Sequence, residues 1–244
     1  MGIELKSIVK KLMGRTPYRI VRDSPPNGFQ AIEFCLRSLK DRGFSPSVVI
    51  DGGAHLGSFS LTGKTIFPQA KFHLVEPQLA CAASLKLLCA RHGFVLHECA
   101  LADRAGNVFL LKTDLPGTGA YIKPEPDADS IAVTACTLDS LFITWVAPDD
   151  RVLLKMDLQG YELHALRGAR SAMKSVEVIL TEVSFYAQAY EPSILDLLVF
   201  LNENEFQLYD IAALFRRQRD DRLHQGDFVF VRRGSRLLED KRWD

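Results

Sequence analysis

Two sets of charged residues stand at the ends of apolar runs, and their placement limits the chemistry this chain can do. The first set is Asp51, which closes VVI in VVIDGGAHLG (48–57), and Glu76, which closes KFHLVEP (71–77). The second is Lys155, Asp157 and Glu162 in LLKMDLQGYELHALRGA (153–169), with Glu182 at the end of VILTEVS (178–184). An apolar run ending in an acid and followed by Gly52, Gly53 and Gly57 reads as a buried strand turning sharply into a helix whose N-terminus approaches a ligand. Gly53 lets the backbone come close without a Cβ, and Gly57 lets the helix pack tightly on the first strand. A carboxylate at the end of the second strand, Glu76, can accept both hydroxyls of a ribose.

Asp51 ahead of the glycines argues for a cationic ligand group and against a pyrophosphate. The glycines read G-G-x-x-x-G, not the G-x-G-x-x-G of dinucleotide enzymes. The ligand that fits is a nucleoside carrying an ammonium and a sulfonium, S-adenosyl-L-methionine, with Asp51 near its methionine portion. The cofactor-binding candidates are Asp51, Gly53, His55, Gly57, Glu76 and Leu101. Asp51, Glu76, Leu101 and Asp157 fall at the carboxyl ends of strands, where open α/β sheets bind ligands.

Lys155 and Asp157 alternate with Leu154 and Met156, so they share one face of a strand otherwise buried, a costly arrangement unless the pair is used or matched. Three readings are open for the catalytic candidates Lys155, Asp157, Glu162 and Glu182. Asp157 or Glu182 serves as base or orients an acceptor hydroxyl. Alternatively the two carboxylates hold a divalent cation such as magnesium, with Asp227 and His224 as weak further ligands; the metal ligands stay unknown. Or Lys155 forms a bracing ion pair with Glu162 or Glu182. His73 and His164 read as packing residues, and Tyr121, Tyr186 and Tyr190 as possible pocket walls.

These residues need a scaffold. The chain has 244 residues, 47% of them hydrophobic, and no net charge from 30 basic and 30 acidic residues. That is enough for one large core, and it disfavours a duplex nucleic-acid binder. No run is long enough for a membrane helix. Cys35, Cys81, Cys89, Cys99 and Cys136 show no CxxC spacing and read as reduced, buried thiols of a cytoplasmic protein. Residues 1–28 read as an amphipathic helix (Leu5, Ile8, Val9 and Leu12 on one side) and a linker, suited to packing on the domain or on a second copy in a homodimer. Residues 29–244 read as one domain.

Within that domain, apolar runs at 47–51, 71–76, 95–101, 151–157 and 176–183 alternate with helical patterns. One helix runs from 31 to 42, one starts near 57, one follows 157 to about 173, and one starts at Pro192. Residues 106–112 and 131–136 read as a hairpin, and 206–211 with 226–232 as a final pair. The fold class expected is α/β: a doubly wound, mainly parallel seven-stranded sheet with an antiparallel edge hairpin. Asp114 to Ser130 reads as a lid. Phe215 to Gln225, with four arginines, reads as a solvated connection, with a substrate-contacting rim as the sharper alternative.

VVIDGGAHLGSFSL (48–61), CALADRAGNV (99–108) and LLKMDLQGYELHALRGA (153–169) together resemble the FkbM family of class I S-adenosylmethionine-dependent methyltransferases. VILTEVS fits the same pattern. Gln159 departs from it, standing where the family commonly has an acid, and His55 stands where the wider superfamily often has glycine. The resemblance implies a Rossmann-like methyltransferase fold and O-methylation of a small-molecule acceptor, a sugar or secondary-metabolite hydroxyl. The alternatives are an N-methyltransferase acting on a peptide or amine, and a non-catalytic nucleoside-binding module of the same fold.

Overall fold

The computed structural model describes residues 28–111, 119–123, 125–186, 193–240 and 242. The expected N-terminal helix, residues 114–118 of the expected lid, Tyr190 and Pro192 lie outside them. In chain order the elements are α1 (Gly28–Asp41), β1 (Val48–Gly52), α2 (Ser58–Ile66), β2 (Lys71–Val75), α3 (Leu79–His92), β3 (Val95–His97), β4 (Ala100–Leu101), β5 (Gly106–Leu111), β6 (Ile122–Lys123) and β7 (Ser130–Cys136). They continue with α4 (Leu138–Trp145), β8 (Val152–Met156), α5 (Glu162–Arg167), β9 (Val176–Ser184), α6 (Ile194–Glu203), β10 (Phe206–Arg216) and β11 (Leu223–Arg232).

The main sheet has seven strands in the order β10-β11-β9-β8-β1-β2-β3. β9, β8, β1, β2 and β3 run parallel, while β11 is antiparallel to both β9 and β10. Every residue of β1 and β8 is buried, because helices cover both faces; this is why these strands read as unbroken apolar runs. Successive residues feed opposite cores. Val48, Ile50, Leu154 and Ile179 pack with Leu166 and Leu197, whereas Val49, Leu153 and Val178 pack with Leu36, Phe59 and Leu85. From β1 the chain winds first to the β3 edge and then returns to β8, so the switch point lies between β1 and β8.

Several expectations need correction. The run 95–101 is two strands. β3 ends at His97, and Ala100–Leu101 leaves the main sheet to pair with β7 in a separate four-stranded sheet, β4-β7-β5-β6. The expected hairpin of 106–112 with 131–136 is present there as β5 and β7. The helix after β8 stops at Arg167 and is followed by a 3-10 turn, Ala172–Ser175. α6 opens on a reciprocal cap, Ser193 with Asp196. β10 and β11 extend into the arginine-rich segment, leaving a short turn closed by Arg217 N–H to Arg222 O at 2.9 Å. Cys99 and Cys136 form a disulfide, so the five cysteines are not all thiols; Cys35, Cys81 and Cys89 are free and buried. None of the helices described is long and apolar enough to cross a membrane.

Candidate active site

β1 delivers Asp51 and the glycine turn to the carboxyl edge of the sheet. Asp51 is fully buried and is not part of the lining of either cavity described below. Ser60 Oγ of α2 donates to its Oδ2 at 2.7 Å, and Lys155 Nζ sits 3.0 Å from its Oδ1. Lys155 also donates to the Gly53 and Gly52 carbonyls, at 2.9 and 3.2 Å. The ion-pair partner of Lys155 is therefore Asp51, not Glu162 or Glu182. Burial works against the ammonium, but Asp51 and Asp157 outweigh it and hold the Lys155 pKa above its ordinary value. The pair ties β8 to the turn that follows β1.

The turn itself is set by close contacts. Gly53 has φ +71°, and a Cβ there would stand 1.9 Å from the Asp157 carbonyl oxygen. Gly57 has φ +80°, and a Cβ there would meet Leu88 of α3 at 2.2 Å, so this glycine serves the packing of α2 on α3 rather than on β1. His55, between them, has φ +50°, a strained conformation for a side chain larger than glycine. Its N–H donates to Glu76 Oε2 at 2.7 Å, and Gln78 N–H donates to Glu76 Oε1 at 2.9 Å. The Glu76 carboxylate is thus fixed in orientation. Burial nonetheless pushes its pKa above the ordinary range, against the pull of both donors.

Two cavities open at this edge. The first is walled by Glu76, Pro77, Gln78, Leu101, Tyr121 and Leu158. The second is walled by Ile32 of α1, Phe59 of α2, Lys155, Glu182, Phe215 and Asp227. Gly53, His55, Asp157 and Gln159 line both. Leu101 reaches the first cavity from β4, and its side chain would stand 2.9 Å from a Cβ on Gly52.

Gln159, noted above only as a departure, is the connecting residue. It has φ +53°, and its Nε2 donates to Asp157 Oδ1 at 2.7 Å and to Glu182 Oε2 at 3.2 Å. An acid at this position would repel both carboxylates; the amide joins them. Gln225 Nε2 donates to the other Glu182 oxygen. Glu162 is not brought to these cavities. It is buried at the start of α5, and its Oε1 accepts from Leu158 N–H at 2.7 Å and Gly160 N–H at 3.4 Å. Burial pushes its carboxyl up to about 7. Its place in the structure is to hold the loop that carries Asp157 and Gln159.

The remaining expectations sort themselves by contact. His73 stacks on His97 and meets Trp145 at a tilt, and burial, with His97 beside it, pushes it down to about 4. His164 stacks on Tyr161 with centroids 4.4 Å apart. Tyr121 lines the first cavity. Tyr186 lies under the guanidinium groups of Arg217 and Arg222. Among the described residues no group of three or more His, Cys, Asp or Glu is arranged to hold a metal ion. Sequence reasoning missed Gln159 and Gln225 as site residues, and it gave Asp227 only a weak metal role.

Fold and cavities define a class: a doubly wound α/β protein with a cleft at the switch point and a second cavity opening onto it. The methyltransferase FkbM domain matches residues 51–208, and the chain belongs to that family. An FkbM methyltransferase structure from Methylobacillus flagellatus KT is similar at 19% identity, covering 79% of this chain and 47% of its own, with a TM-score of 0.49. The chain thus spans about half the length of that protein. Magnesium protoporphyrin IX methyltransferase from Synechocystis PCC 6803 is similar at 13% identity, covering 93% and 96% of the two chains, with a TM-score of 0.47. A 1,6-didemethyltoxoflavin-N1-methyltransferase from Burkholderia thailandensis is similar at 12% identity over 94% and 87%, with a TM-score of 0.44. No curated protein matches the chain.

Proposed function

We propose that this methyltransferase-family chain transfers a methyl group from S-adenosyl-L-methionine to a hydroxyl of a sugar or small natural product. The observation that carries the reading is the meeting of the two cavities at Gly53, His55, Asp157 and Gln159. A donor in one cavity and an acceptor in the other would face each other there. The residues present fit the donor. Glu76 presents a pre-oriented carboxylate suited to a ribose diol. Gly53 lines both cavities and puts no side chain between them. His55 Nε2 is buried with no hydrogen-bond partner among the described residues, a position a ligand can satisfy.

When bound, S-adenosyl-L-methionine supplies an electrophilic methyl group on a positively charged sulfur. The chain's own residues would do the rest. Lys155 and Asp51 hold the turn that carries Gly53, and Gln159 holds Asp157 and Glu182 at the junction, so the acceptor oxygen is aligned before it reacts; such alignment contributes several kcal/mol. Phe59, Leu180 and Phe215 keep water from the acceptor. Roles for Asp157 and Glu182 in orienting the acceptor belong to this reading, as does a divalent cation if one is required, and as does a cytoplasmic site of action. The zero net charge supports a small-molecule partner over nucleic acid, and an apolar N-terminal stripe supports a homodimer.

Calorimetric titration of the purified protein with S-adenosylhomocysteine tests the donor assignment. Micromolar binding is expected; no binding to a folded sample would overturn it. Incubating the protein with labelled S-adenosyl-L-methionine, with and without magnesium, against monosaccharides, phenols and amines then separates hydroxyl from nitrogen transfer. The amine reading stands beside the hydroxyl one because the acceptor cavity carries three carboxylates, Asp157, Glu182 and Asp227.

A further inference from the structure

The strand register places a carboxylate in the acceptor cavity that the reading above leaves unused. Asp51 stands opposite Lys155, Lys155 opposite Leu180, and Leu180 opposite Val229. Opposed residues on neighbouring strands point to one face. Two residues further toward the carboxyl edge, the same face carries Gly53, Asp157, Glu182 and Asp227, the last two directly opposed in the β9–β11 register. All four line the acceptor cavity.

The members of this row are not equivalent. Gln159 and Gln225 each donate to a different oxygen of Glu182, and Gln159 also holds Asp157 Oδ1. Lys155 is committed to Asp51 and two carbonyls. The Asp227 carboxylate has no hydrogen-bond donor among the described residues, and the residue lines the cavity with apolar Ile32, Leu180 and Phe215. A carboxylate left without donors at a cavity wall, next to groups already held in place, is positioned to receive a proton.

Resting on the methyl-transfer reading, we propose that Asp227 is the catalytic base that takes the proton of the acceptor hydroxyl. As the acceptor oxygen forms its bond to the methyl carbon, the carbon–sulfur bond breaks and its electron pair stays on sulfur, leaving the neutral thioether of S-adenosylhomocysteine. The hydroxyl proton passes to the Asp227 carboxylate, which later releases it to water through the cavity mouth. The protein's charge is unchanged over the cycle. The surroundings suit this task. Burial first, then the neighbouring Asp157 charge, push the Asp227 carboxyl up to about 6, with Lys155 opposing. The other titratable groups near it are Glu182 on β9, Asp210 on β10, Cys35 on α1 and His55 in the turn after β1.

Sinefungin tests the placement without an acceptor. It is the donor analogue in which an amine-bearing carbon replaces the methylated sulfur, so its ammonium probes charge at the point of transfer. The full chain is titrated with sinefungin and with S-adenosylhomocysteine at several values between about pH 5 and pH 8. Wild-type protein is expected to prefer sinefungin by about tenfold at the upper end, with the preference fading through the range around 6 in which Asp227 becomes protonated. Asp227→Asn should lose that pH dependence and most of the preference while binding S-adenosylhomocysteine as wild type does; Asp227→Glu should restore both. An Asp227→Asn protein that keeps the preference and its pH dependence overturns the proposal, as does transfer of the whole effect to Glu182→Gln. Failure of folded wild-type protein to bind S-adenosylhomocysteine would instead overturn the donor reading itself.

Discussion

The two edges of the main sheet are both rich in charge, yet they use it in opposite ways. At the edge where β8 and β9 begin, Glu177 and Asp150 both meet donors. Arg151 makes a bidentate pair with Glu177 at 2.7 and 3.0 Å, Ser235 Oγ donates to Glu177 at 2.7 Å, and Ser47 Oγ donates to Asp150 at 2.6 Å. Burial would raise the Glu177 carboxyl, but Arg151 and Ser235 outweigh it and hold it below its ordinary range. At the opposite edge, burial pushes the Glu76 and Asp227 carboxyls above theirs, and neither forms an ion pair with a described residue. Matched charges brace a sheet; acids kept buried without a matching cation are held in readiness for a ligand. The ion pair Lys155–Asp51 is the exception that marks the border, a structural pair directly beneath the reactive edge.

That contrast can be broken by removing charges on each side. Lys155→Met leaves Asp51 buried with only Ser60 as partner, and should cost about 3–5 kcal/mol of stability, read as a large fall in thermal midpoint. Glu76→Ala should weaken S-adenosylhomocysteine binding by about a hundredfold, or about 3 kcal/mol, in a calorimetric titration, with a near-normal thermal midpoint. A collapse of stability there would mean that Glu76 serves the fold.

Glu162 gives a smaller effect with a defined sign. Its folded pKa of about 7 lies above the ordinary 4.5, so the folded chain binds more protons than the unfolded chain in between. Stability should therefore fall as pH rises from 4.5 to 7. Glu162→Gln should flatten that slope and add on the order of 2 kcal/mol at pH 8, measured by urea unfolding across pH. The smallest effect belongs to the matched edge. Arg151 is 43% exposed, and Arg151→Ala should cost about 1 kcal/mol or less while leaving S-adenosylhomocysteine affinity unchanged.

Much of this architecture is legible in the chain alone. Runs such as VVIDG and VLLKM announce strands buried on both faces, because most side chains there must be apolar. The acid-then-glycine turn after β1 announces a ligand cleft, and Glu76 follows from its place at the end of the next run. The partner of Lys155 was not legible. Periodicity reports which face a residue takes, not which strand lies beside it, and Asp51 becomes its neighbour only because β8 inserts next to β1. The break between β3 and β4 was equally hidden, since His97 and Ala100 sit in one apolar run and part only because β7 offers Ala100 a second sheet.

The sequence by itself determined the fold class, the family and the position of the cofactor-type turn, since these depend on local patterns of apolar, acidic and glycine residues. The tertiary structure alone decided that Glu162 supports a loop, that Gln159 joins two carboxylates, and that Asp227 lines the second cavity. The physical reason is register: a shift of one residue in the pairing of β11 with β9 would turn Asp227 to the other face, and that pairing joins segments far apart in the chain.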